Sequence, residues 1–201
     1  MSTVEANEDV QASEDDEVSL RPNLYLLAFG STAIALLSFL FLPWTDAVFS
    51  TLLGGLMIAG ADVDARTFLL PDIVTYGALA VGLAYAWSTG GQEAWASVFA
   101  ALSQAIAVAA TLLCLRAAYQ WLRGQEGLGL GDVKLGAAIG AWLPFNLTPL
   151  CFAVASIAAL GFVLVRGGGL AAKRGLKLPF GAFLCPALWL IFFMNALPSW
   201  S

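Results

Sequence analysis

AWASVFAALSQAIAVAATLLCL, residues 94–115, runs through 22 positions without a charged side chain and ends at Arg116. A helix of about 20 apolar residues crosses a bilayer core of about 30 Å, and this run meets that length. Similar apolar runs lie near 24–42, 47–61, 73–89, 133–145, 147–165 and 179–197, separated by short polar turns. Composition agrees, since 60% of the 201 residues are hydrophobic, 11% are charged and the mean hydropathy is +0.82. One soluble core of this size could not hide so much apolar surface. The expected fold is therefore all-α and integral to the membrane, a polytopic bundle of about seven transmembrane helices. The fifth run is short, and Pro144 and Pro149 crowd the turn after it, so a break or tilt is expected there.

The first twenty residues carry seven acids (Glu5, Glu8, Asp9, Glu14, Asp15, Asp16, Glu17) and no base. They read as a disordered, solvated tail, and their charge has the wrong sign for a secretory signal. Two regions follow: a cytoplasmic tail over 1–20 and a membrane domain over 21–201. Nine basic and seven acidic residues leave the latter at +2, against −5 for the whole chain. The bases are Arg21, Arg66, Arg116, Arg123, Lys134, Arg166, Lys173, Arg174 and Lys177. In a seven-helix arrangement all nine fall on one side, which the positive-inside rule makes cytoplasmic. The expected location is the inner (cytoplasmic) membrane, multi-pass, with the N-terminus cytoplasmic and the C-terminus outside.

The sequence contains no histidine, which removes Ser-His and Cys-His nucleophile pairs and His-ligated zinc. Cys114, Cys151 and Cys185 stand singly in apolar runs, away from metal-ligand or redox spacing, and read as buried apolar side chains. Proton chemistry falls to carboxylates, Lys or Tyr. Beyond the tail, five of seven acids (Asp62, Asp64, Asp72, Glu126, Asp132) sit at helix ends on the side carrying the bases. An ionisable group at membrane depth costs about 3 kcal/mol, so its presence suggests function. Solvated charges marking helix ends are the plainer reading for Asp62, Asp72 and Glu126.

Asp132 follows three alternating glycines in Gly127-Leu-Gly129-Leu-Gly131-Asp132-Val-Lys134. Glycines there would allow unusual backbone conformations and close approach by a peptide, and the head of a helix favours an ionised acid. The loop lacks the Gly-Lys-Ser/Thr ending of a phosphate-binding loop. In Asp62-Val-Asp64-Ala-Arg66-Thr-Phe-Leu-Leu70-Pro71-Asp72, Pro71 reads as a helix start and Asp72 suits its first turn. Asp64 has no such local role and is the better catalytic candidate. Two carboxylates sharing one proton can cleave a peptide bond, one activating water while the other protonates the carbonyl oxygen.

These segments resemble the type IV prepilin leader peptidases, within the G-x-G-D group of membrane aspartic proteases. The resemblance rests on Asp64 seven residues before Pro71 of Leu69-Leu70-Pro71-Asp72, and on Glu126-Gly-Leu-Gly-Leu-Gly-Asp132-Val-Lys-Leu with Gly136, Gly140 and Trp142-Leu143 behind it. Leu178-Pro-Phe-Gly181, at the head of the last run, completes it. It implies that Asp64 and Asp132 are catalytic and that Gly129, Gly131, Lys134, Pro71 and Asp72 shape the site or bind substrate. It also implies leader removal after a glycine at the cytoplasmic face, just before the apolar helix of a prepilin or pseudopilin precursor. Long members of the family carry a domain with two C-x-x-C pairs and methylate the new N-terminus; without those pairs, the expectation is a peptidase that uses no metal or cofactor. The implied partners are a prepilin-like protein and membrane lipid, with no nucleic acid. Rival readings are a proton- or cation-coupled transporter, a metal-dependent phosphotransferase using Asp62, Asp64 and Asp72, and a scaffold in which Gly136 and Gly140 pack helices closely. The acidic tail could attract the basic leader of a precursor electrostatically.

Overall fold

A computed structural model describes residues 22–124, 128–165 and 179–197. The acidic tail, Arg21, Glu126, Gly127, Arg166, Lys173, Arg174, Lys177 and Leu178 lie outside the described residues. Among the described residues there are seven α-helices, one for each apolar run: α1 Leu24–Phe41, α2 Trp44–Thr67, α3 Asp72–Thr89, α4 Ala94–Arg123, α5 Leu130–Trp142, α6 Thr148–Val165 and α7 Gly181–Asn195. Four of them (α1, α2, α4 and α6) are long and apolar enough to cross a membrane. The 13-residue α5 rises only about 20 Å and is too short to do so alone.

Punctuation residues set the helix ends. Pro43 and Pro71 precede α2 and α3, where a missing N–H costs nothing. Gly124 closes α4 at φ +65°. Two helices run further than their apolar segments. In α2 the polar turn stays helical because Arg66 reaches back to Asp62, with Nη2 donating to Oδ2 at 2.6 Å, and α4 carries Arg116 and Arg123 inside its last two turns.

The core surrounds α5, which touches α3, α4 and α7. Leu135 and Ile139 of α5 are fully buried against Leu53 and Met57 of α2, Val74 and Ala78 of α3, and Leu184 and Leu188 of α7. Gly140 brings α5 against the α4 backbone, since a Cβ there would lie 2.7 Å from the Gln104 carbonyl oxygen. This is the close helix packing expected of that glycine. The outer faces are apolar as well: Leu36, Leu40 and Ile157 are each 70% exposed. A bundle apolar inside and out is one solvated by lipid. Cys151 and Cys185 are buried as expected, but Cys114 faces outward from α4.

Candidate active site

The connection from α2 to α3 and the head of α5 meet at one end of the bundle. Asp64, in the last turn of α2, is buried, 5% exposed. Its Oδ2 accepts the Ala182 N–H at 2.7 Å, and the Gly181 amide also hydrogen-bonds the carboxylate. These are N–H groups of the first turn of α7, which have no partner within the helix, so Asp64 caps α7 from 118 residues away in sequence. The sequence offered no local role for Asp64; the role is tertiary. Gly181 is required for it, because a Cβ would sit 2.9 Å from Asp64 Oδ2.

Asp132 lies in the first turn of α5, three positions after the Gly129 cap, and its carboxylate reaches back to the Gly129 amide. Asp132 also lies close enough to Asp64 to feel its charge. Gly129 is extended (φ −68°, ψ 147°), and neither it nor Gly131 has a positive φ. The expectation of unusual backbone conformations is therefore corrected for these two. Close approach does hold at Gly131, where a Cβ would lie 3.0 Å from Leu70 Cβ. Arg116 of α4 steadies the same loop, its Nη1 donating to the Leu128 carbonyl at 2.5 Å.

Asp64 and Asp132 line one cavity of about 250 Å³ together with Gly129, Gly131, Asp72 and Lys134. Pro71 begins α3 beside it as the N-cap residue. Asp72 does more than suit a helix dipole: its Oδ1 accepts from Lys134 Nζ at 2.5 Å, and Lys134 also lies over the Tyr76 ring, 5.2 Å from its centroid. Phe68 closes α2 at φ +57°, a left-handed conformation that costs a non-glycine residue about 1–2 kcal/mol, and its side chain joins the cavity wall. Sequence reading did not single out Phe68 and named Leu70 only within the Leu69-Leu70-Pro71-Asp72 motif; each owes its place to the tight α2–α3 turn. Asp62, two residues from Asp64, points to another face, where it pairs with Arg66 and accepts the Asn23 N–H at 2.7 Å. The structure thus brings together Asp64, Asp72, Asp132 and Lys134 and sets Asp62 apart. Two carboxylates fixed by helix N-termini around a small cavity can hold one proton between them and act as base and acid on a bound amide.

Residues 51–164 match the model of the type IV leader peptidase family. The chain is 36% identical over 170 residues to the prepilin leader peptidase/N-methyltransferase of Burkholderia pseudomallei, which covers 83% of this chain and 52% of that protein. It is 35% identical over 151 residues to the enzyme of the same name from Dickeya chrysanthemi, covering 73% and 50%. To that from Neisseria gonorrhoeae it is 32% identical over 148 residues, covering 71% and 49%. The chain spans about half the length of the curated relatives it matches. No solved structure matches it.

Proposed function

This chain belongs to the type IV leader peptidase family, and we propose on that premise that it is a membrane aspartic endopeptidase that removes the leader from prepilin-like precursors. The observation that carries the reading is the cavity on which Asp64 and Asp132 converge from separate helices. In the proposed reaction the pair holds one proton. The ionised carboxylate takes a proton from water as the water oxygen bonds to the scissile carbonyl carbon, and the protonated carboxyl gives its proton to the carbonyl oxygen. The resulting gem-diol collapses when the carboxyl that took the water proton passes it to the leaving nitrogen while the other carboxylate takes back a hydroxyl proton; the C–N bond breaks and the pair again holds one proton. Asp72 holds Lys134 at the rim, while Gly131 lets the α2–α3 turn approach the loop.

In this reading all seven helices are embedded in the bilayer and the aspartate end faces the cytoplasm. Arg66, Arg116, Arg123 and Lys134, the basic residues among those described, all sit at that end, which supports the orientation. The opposite end carries Trp44, Trp87 and Trp95, exposed where an interfacial aromatic belt would lie. A proton- or cation-coupled transporter is the weaker reading, since the family match is to a peptidase.

The test is direct. The full chain, reconstituted in liposomes, is given a designed precursor with a basic leader, a glycine at the junction and an apolar helix of about 20 Leu and Ala residues. Mass spectrometry should find one cut, after the glycine, unaffected by chelators. An intact precursor, or cleavage that a chelator stops, contradicts the proposal.

A further inference from the structure

On the other side of the last turns of α2 lies a second cavity, of about 600 Å³ and so more than twice the size of the aspartate cavity. Phe29 and Ile34 of α1, Ile58 and Ala65 of α2, and Pro186 and Trp189 of α7 wall it. It is an open groove, since Phe29 on its rim is 85% exposed. Its walls are apolar except at one end, where Asp62 stands at the level of Asp64 in the same helix.

Two features tie this groove to the catalytic carboxylate. Ala182 lines it, and the N–H of Ala182 is the donor to Asp64 Oδ2 at 2.7 Å. Only one residue's thickness therefore separates the groove from the proposed catalytic group. Pro186, in the same wall, has no N–H to close the helical bond onto the Ala182 carbonyl. The apolar cavity between α4 and α6, about 180 Å³ and lined by Leu112 and Phe152, provides a contrast: none of its lining residues borders or hydrogen-bonds either aspartate.

We propose that the groove between α1, α2 and α7 receives the apolar helix of the precursor and presents the peptide bond at the head of that helix to Asp64. The proposal rests on the peptidase reading above. A helix laid in an apolar groove is a recurrent mode of peptide recognition. Here it explains how one cleavage point could be chosen at the junction between a polar leader and an apolar segment. Register would be set by where the apolar side chains stop fitting and the polar end at Asp62 begins.

The experiment uses the full chain in liposomes and the designed precursor. Ala65→Trp and Ile58→Trp, which fill the groove, should raise KM for the precursor roughly tenfold or more. Ala158→Trp, on the exposed face of α6, should leave cleavage as in wild type. Because a bulky variant could misfold, a photo-crosslinking phenylalanine analogue is also placed at position 29 of the Asp132→Asn protein, where it should capture the apolar helix of the precursor. Wild-type KM in both tryptophan variants, or capture of lipid alone at position 29, would overturn the proposal while leaving the peptidase reading intact. Failure of the wild-type chain to cleave would remove both.

Discussion

The two ends of the bundle each hold buried or half-buried carboxylates, and they differ in how those carboxylates are held. At the end carrying the exposed tryptophans, Asp46 in the first turn of α2 accepts the Tyr85 hydroxyl at 3.1 Å. Tyr85 stacks on Trp142 at 5.5 Å between centroids and meets Phe192 edge-on at 5.3 Å, and the Trp142 indole donates to the Ala78 carbonyl at 2.8 Å. This acid is bound into a filled aromatic cluster that ties α2, α3, α5 and α7 together. At the other end, Asp64 and Asp132 are fixed by backbone N–H groups of α7 and α5 and border an open cavity. An acid in a membrane bundle is therefore not in itself a sign of chemistry. An acid held at a helix N-terminus beside a second acid and open space is the informative case.

Disturbing each end should give opposite outcomes. Among variants that leave both aspartates in place, the largest effect is expected from Gly181→Ala, whose methyl would displace the Asp64 carboxylate. Cleavage should fall about a hundredfold with little change in melting temperature, since displacing a catalytic group by about 1 Å has that cost. Undiminished cleavage would mean that the position of Asp64 does not matter. At the opposite end, Tyr85→Phe leaves Asp46 without its hydroxyl donor and should lower stability by about 1–2 kcal/mol. Activity per folded molecule, measured by thermal denaturation and cleavage on the same sample, should not change.

The smallest effect is expected from Asp72→Asn. Its partner Lys134 is 35% exposed and Asp72 itself 65%, so solvent screens the pair and losing it should leave the melting temperature nearly unchanged. Cleavage should fall by less than tenfold, which makes Asp46, at the far end, the better control for charge removal.

Much of the fold was legible because membrane helices are written as uninterrupted apolar runs bounded by Pro, Gly and charge. All seven runs are helices, and Gly140 packs as its setting implied. Helix ends were less legible at α2 and α4, where polar residues continue the helix through contacts such as Arg66 to Asp62. Within the site, Asp132 stood out by its glycines, although their contribution is close approach at Gly131 rather than unusual torsions. The cap that Asp64 provides to α7 could not be read locally, because its donor lies 118 residues away. The groove beside it was invisible for the same reason, being assembled from three helices that meet only in the fold.

The proposed chemistry depends most on the two aspartates acting together. Cleavage of the designed precursor should be compared for wild type, Asp64→Asn, Asp132→Asn and Asp46→Asn, each reconstituted at equal amounts of folded protein. The first two substitutions should each abolish detectable cleavage, a loss of roughly a thousandfold or more, while Asp46→Asn cleaves at the wild-type rate per folded molecule. Normal cleavage by either Asp64→Asn or Asp132→Asn would contradict the account.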